Sequence, residues 1–227
     1  MRRPLSRFVR SVITLAVVGF SGLGFYGSTP APAGLANSNP GLTVARYELE
    51  ASRSKFMVEA LAGGLLWFKG HNHLIAVRDF TGEARFDPES IPSAMLRLTA
   101  KAASLEETSD VFTAQQKEII NKELREIVLH PEQFPDIVFQ STGTTGKATG
   151  NGQYDLKLNG NLTLHGVTRP IVIPAQVTIT GNELRAVGKF SINRSDYNVK
   201  ATSAFHGLVR VKKRLKFNFD IVGRRSG

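Results

Sequence analysis

"YDLKLNGNLTLHGVTRPI", residues 154–171, is the stretch whose reading decides the fold. Strand side chains alternate between the two faces of a sheet. Here Tyr154, Leu156, Leu158, Gly160, Leu162 and Leu164 take one face, and Asp155, Lys157, Asn159, Asn161 and Thr163 take the other. His165-Gly166 interrupts the pattern, and a second alternating run starts at Ile171. Two such runs around a two-residue connection predict a tight hairpin, with Gly166 accepting the positive φ that the turn needs. His165 is then a turn residue, because no nucleophile or carboxylate flanks it as catalysis would require.

The same period of two extends outward from this hairpin. In "LVRVKKRLKFNFDIV", residues 208–222, Val209, Val211, Leu215, Phe217, Phe219 and Ile221 share a face. Arg210, Lys212, Arg214, Lys216, Asn218 and Asp220 share the opposite one. Residues 76–86, 94–102, 171–180 and 184–192 alternate likewise, and shorter extended runs lie at 46–49, 55–61, 65–69 and 137–141. One segment departs. In residues 109–135, Phe112, Ile119, Ile120, Leu124, Ile127 and Val128 recur at helical spacing, Ser109 or Asp110 is positioned to cap the start, and Pro131 and Pro135 bar continuation. The expected fold is all-β: an antiparallel up-and-down β-barrel with one helical insertion, closed so that no sheet edge is left free.

The rest of the chain bounds the function. Two hundred and twenty-seven residues without a single cysteine exclude disulfides, thiolate nucleophiles and Cys-based zinc sites. "MRRPLSRFVR" followed by the apolar run "SVITLAVVGFSGLGFYG" and the small residues "APAGLA" reads as an export signal over residues 1–36, with an uncleaved anchor as the alternative. Residues 37–43 form a linker and 44–224 the barrel domain, so the expected location is the periplasm or the exterior. Of 29 basic against 19 acidic residues, Arg2, Arg3, Arg7 and Arg10 leave with the signal, which lowers the net charge from +10 to +6. A modestly basic exported domain suits a peripheral contact with an anionic membrane. Nucleic acid is not an expected partner, and a homodimer stays open.

The predicted inner face mixes small and large residues. Gly82, Ala84, Ala100, Gly160, Ala175, Ala186 and Gly188 sit among Phe80, Phe86, Leu98, Leu158, Leu162, Ile173, Phe190 and Phe217. A barrel filled by its own side chains wants bulky residues there. Recurrent Gly and Ala either leave room for a long apolar ligand or relieve crowding where strands coil. Phe56, Phe139 and Ile192 join the candidate lining.

"GNLTLHGVTRPI" (160–171) and "FSINRSDYNV" (190–199) resemble the YceI-like family, as do "HPEQFPDIVFQST" (130–142) and the first hairpin at 47–56. The resemblance covers most of residues 44–223. It implies an exported, lipocalin-like barrel that encloses a polyisoprenoid or another long amphiphilic lipid, with no catalysis and no cofactor beyond that ligand. The chain departs from the family pattern in its "AGGLLWFKGHNH" stretch and in Tyr197-Asn198 after "RSD", as a divergent member would.

His71 and His73, one residue apart, open like a metal site, but such a site needs three or four ligands. His130, His165 and His206 offer no second pair, so no metal is expected. Continued alternation puts Arg78 beside Ala76 and Phe80 on the inner face, and Lys213 among Val211, Leu215 and Phe217. Buried cations need partners. His71, His73 and Arg78 are therefore candidates to hold a lipid headgroup, with salt-bridged structural cations as the competing reading. Arg194 either pairs with Asp196 or a rim carbonyl, or faces the headgroup. A quinone- or haem-binding redox partner using His71 and His73 is the alternative function.

Overall fold

The computed structural model describes residues 44–226 apart from Trp67, Lys69, Thr202 and residues 205–208. The signal and linker read at 1–36 and 37–43, and His206, lie outside the described residues. Twelve strands run in chain order: β1 Ala45–Leu49, β2 Lys55–Gly63, β3 His73–Val77, β4 Phe80–Phe86, β5 Met95–Lys101, β6 Leu105–Glu107, β7 Asp136–Gly150, β8 Gln153–Leu164, β9 Val167–Thr180, β10 Glu183–Asn193, β11 Ser203–Ala204 and β12 Val209–Arg225. One helix, α1 Ala114–Glu123, continues into a π-helical turn over Leu124–Leu129.

Pairing follows the order β1-β4-β5-β7-β8-β9-β10-β12, and β12 returns to β1 through Tyr47↔Arg225, Glu48↔Arg224 and Leu49↔Gly223. Every pair is antiparallel. The expected closed barrel is therefore present, with eight positions around its ring. The extra strands arise from bending. β1 and β2 both lie antiparallel along β12, so they form one strand broken at Ala51–Arg53. β3 and β4 are likewise one strand broken at Arg78–Asp79, and β5 and β6 one broken at Ala102–Ser104. The last two breaks are bonded to each other, as Arg78 N–H donates to the Ser104 carbonyl at 3.3 Å and Lys101 N–H to the Asp79 carbonyl at 2.9 Å. Beyond this line of bends the sheet ends at β6. There α1 packs on β6, with the Asn121 amide oxygen accepting from the Glu107 N–H at 2.7 Å.

The deciding hairpin forms as read. All six predicted inward residues of β8 are buried, and His165 and Gly166 turn with φ of 51° and 72°, the two positive angles of a type I′ turn. Helix α1 is capped by Thr113 rather than Ser109 or Asp110, and Gln116 completes a capping box. Ser109 is used otherwise, its N–H donating to buried Glu107 at 2.8 Å.

Two inner-face expectations and one strand expectation are corrected. Arg78 does not face the interior: β3 stops at Val77, the two-residue break resets the alternation, and Arg78 lies exposed against Glu106 at 2.6 Å. Lys213 is exposed as well. Val211 pairs with Ala62 and Leu215 with Ala60, so a bulge adds two residues to β12 and turns Lys212, Lys213 and Arg214 all outward. Of the extended run expected at 65–69, Leu65 and Leu66 lie in a turn instead, and Trp67 and Lys69 lie outside the described residues.

The glycines also differ from expectation. A Cβ on Gly160 would stand 2.5 Å from the Gln140 carbonyl oxygen and 2.6 Å from the Phe139 ring. On Gly188 it would collide with the Phe219 ring and the Pro174 carbonyl oxygen. These positions do not open free volume; a phenyl ring from the neighbouring strand covers each, an arrangement that shields glycine backbone in a sheet. Gly160→Leu is thus expected to destabilise the barrel by about 1–3 kcal/mol, the usual cost of overpacking. A lowered urea midpoint would be the measurement, and a midpoint equal to wild type would show that the site has room after all.

Candidate functional site

Inside the ring is a hollow of about 260 Å³. One water needs roughly 10–15 Å³ on the same measure, so the barrel is not filled by its own side chains. The wall is built from the inward halves of all the ring strands. Phe56, Phe86, Leu98, Phe139, Leu158, Leu162, Phe190 and Phe217 all line it. Ala84, Ala100, Ala175 and Ala186 line it too, and these alanines, unlike the glycines, do leave space in front of them. Phe190 and Phe217 stack at 4.6 Å with a 10° interplanar angle, and Phe56 meets Phe217 and Phe219 at 6.3 and 6.4 Å. Such pairs hold a wall rigid without closing it.

Several sequence candidates sit elsewhere. Phe80 and Ile192 are buried in the core without lining the hollow. Gly160 and Gly188 lie behind phenyl rings, and Arg78 and Lys213 are on the outer surface. His71 and His73 are not brought together over the lumen: His71 precedes β3 and is exposed, whereas His73 lines the hollow. Their shared contact is Phe112, on which His73 stacks at 5.3 Å and His71 stands edge-on at 5.6 Å. Among the described residues no group of three His, Asp or Glu side chains is placed to hold a metal ion.

The helical segment over residues 110–129 is a candidate to cover an opening from its sequence, but the residues it sends to the hollow are not singled out there. Ile120, Leu124, Val128 and Leu129 contribute apolar surface from the helical segment to the hollow. Their helical spacing was visible, but only the ending of the sheet at β6 places them over this end of the barrel. The lid is tied to the sheet around Glu107, whose side chain is fully buried. Glu107 accepts from His73 Nδ1 at 2.8 Å, from Leu74 N–H at 3.1 Å and from Ser109 N–H at 2.8 Å.

Ionisable lining residues are confined to the ends of the hollow: His73, Glu123, Arg194 and Lys200 at the lid end, and Arg85 at the other, bound to Glu83 at 2.6 Å. Arg194 opens the 3-10 turn Arg194–Tyr197. Its guanidinium donates to the carbonyls of Val199 at 2.9 Å and of Val211 and Lys212 at 3.3 Å, tying this turn to the bulge of β12. It takes rim carbonyls, not the Asp196 carboxylate. Burial, with Arg210 adding to it, pulls Arg194 below the ordinary arginine value, yet an arginine remains a cation in a protein. The lumen therefore offers an apolar barrel with ionisable groups gathered at its lid end.

Glu107 gives this end a pH dependence. Burial raises its carboxyl pKa, but the hydrogen bonds from His73, Ser109 and Leu74 outweigh burial and leave the value lowered. A carboxyl depressed in the folded state stabilises above its unfolded value, and that stabilisation is lost as pH falls through the folded value. Thermal melts should therefore drop on acidification past the ordinary glutamate value of 4.5. Glu107→Gln should melt lower at neutral pH and lack that part of the acid dependence; parallel curves for the two proteins would sink the assignment.

Comparison with known proteins agrees with this geometry. Residues 47–223 match the YceI-like domain model, and the chain belongs to that family. It is 30% identical over 120 residues to a UPF0312 protein of Azotobacter vinelandii, covering 53% of this chain and 54% of that one. It is 29% identical over 138 residues to a UPF0312 protein of Shewanella oneidensis, covering 58% and 66%. The chain thus spans between half and two thirds of the length of these relatives. Among solved structures, BcnA of Burkholderia cenocepacia superposes with a TM-score of 0.60 at 20% identity, over 77% of this chain and 98% of that one. A polyisoprenoid binding domain from Saccharophagus degradans, implicated in plant cell wall breakdown, gives 0.57 at 11% identity, over 81% and 99%. At these identities the likeness concerns the fold.

Proposed function

We propose that this YceI-like barrel is a binding protein that sequesters or carries one long amphiphilic molecule, most simply a polyisoprenoid, in its lumen. The observation that carries the reading is the hollow itself, about 260 Å³ of space walled by aliphatic and phenyl side chains with ionisable groups only at its ends. Apolar burial supplies the affinity, at roughly 25 cal/mol per Å² removed from water. A few polar groups at one end would fix orientation; His73, Arg194 and Lys200 stand where a headgroup would lie. The polyisoprenoid class is favoured by the ligand of the Saccharophagus degradans domain. Binding of this kind needs no catalytic residues and no further cofactor, and export through residues 1–36 to the periplasm or beyond belongs to the same proposal. The quinone or haem reading has less to stand on, since only His73 reaches the lumen and its Nδ1 is engaged by Glu107.

Mass spectrometry of organic extracts from protein purified out of its own host tests the proposal. A stoichiometric long-chain lipid is the expected result. Ala175 lines the hollow, so Ala175→Phe should keep the far-UV circular dichroism of the barrel and lower the lipid recovered. The drop should reach roughly tenfold if about 1.4 kcal/mol of lumen contact is lost. Extracts without lipid, or a folded variant with undiminished lipid, would overturn it.

A further inference from the structure

The lid end of the barrel carries a surface feature that lumen binding does not explain. On the wall and the far end, several basic side chains are matched by acids: Arg46 and Arg85 with Glu83, Arg185 with Asp220, Lys101 with Asp136, and Arg53 and Arg224 with Glu50. At the lid end, unmatched cations are concentrated within five residues, Arg210 to Arg214. The bulge in β12 turns Lys212, Lys213 and Arg214 outward together, with Arg210 and Lys200 beside them, and among the described residues none of the five has a carboxylate within ion-pair distance. The helix opposite is balanced, with Lys117, Lys122 and Arg125 against Glu118, Glu123 and Glu126, so the excess of cation belongs to the β12 side.

Next to these cations the chain exposes large apolar side chains. Gly63, where β2 ends, pairs with Arg210, and a Cβ there would meet the Lys212 stem. From that point the β2–β3 connection leaves the sheet with Leu65 77% and Phe68 65% exposed. The connection returns at His71, which packs on Phe112, and Val111 beside it is 60% exposed. Apolar tips flanked by unmatched cations are the chemistry of a segment that sits at the headgroup boundary of an anionic bilayer.

We propose that this end docks on an anionic lipid bilayer, Leu65, Phe68 and Val111 entering the headgroup layer while Arg210, Lys212, Lys213 and Arg214 meet the lipid phosphates. Lys200 and Glu123 line the hollow at this docked end, so a lipid entering or leaving there would pass between bilayer and barrel without crossing water. That last consequence rests on the lumen reading; docking itself does not.

Sedimentation with vesicles tests it, using the protein as its host accumulates it, with phosphatidylcholine vesicles compared against vesicles containing phosphatidylglycerol. The wild type should prefer the anionic vesicles. Each basic residue near a charged surface is worth about 1 kcal/mol, so K212Q/K213Q/R214Q should weaken that binding by roughly 100-fold. Removing three charges elsewhere, as K147Q/K157Q/R225Q, should leave it within a few-fold, and Leu65→Ser should weaken binding while keeping the anionic preference. Equal loss in the two triple variants would reduce the effect to net charge and overturn the docking face. So would no preference for anionic vesicles, or self-association through this end in place of vesicle binding. Ala175→Phe separates the two proposals, because a blocked lumen should leave vesicle binding intact.

Discussion

Everything in this barrel depends on β12. It is 17 residues long and hydrogen-bonds to β10 along eleven consecutive pairs, from Glu183↔Arg224 to Asn193↔Arg214. Its other edge is shared, β2 taking the first part and β1 the last. One strand therefore satisfies two edges at once and converts an open meander into a ring. An open sheet of this length would present unpaired backbone to other chains. Closing it costs conformational entropy once, and then every inward apolar residue faces every other across a common space.

Eight strands set the width of that space. A ring of this size has room for its own side chains or for one small ligand, and the choice falls to the inward residues. Here alanines at 84, 100, 175 and 186 keep the middle open, while the phenyl rings of Phe139 and Phe219 are spent on covering Gly160 and Gly188. Toward the end away from the lid, Tyr47, Phe86, Tyr154 and Leu184 are all buried, with Phe86 and Tyr154 edge-to-face at 4.7 Å, and Phe86 and Leu184 still line the hollow.

At that lid end, irregular structure does what regular strands cannot. Bends near Arg78 and Ser104 let two strands lean, the sheet stops at β6, and α1 with its π-helical turn takes its place. Glu107 is the node: its backbone N–H bonds the helix and its carboxylate gathers His73, Leu74 and Ser109. Across the opening, Arg194 binds three carbonyls and holds the bulge in place. Lid and rim are both organised by polar groups, so the apolar wall between them stays free of unsatisfied charge.

The sequence by itself determined the closed antiparallel sheet, the turn at His165-Gly166, the inward faces of β8 and the last part of β12, and one helix. These are local consequences: alternation has a period of two and a tight turn needs only its own residues, so both are written in the order of side chains. Most of the apolar lining, from Phe56 to Phe217, follows from the same rule. Tertiary structure alone decided where the alternation slips. The break at Arg78–Asp79, the bulge that expels Lys213, the rings laid over Gly160 and Gly188, and the parting of His71 from His73 all depend on partners far away in sequence. A slip of one or two residues moves a side chain from one face to the other, and only the bonding to neighbouring strands fixes where it occurs.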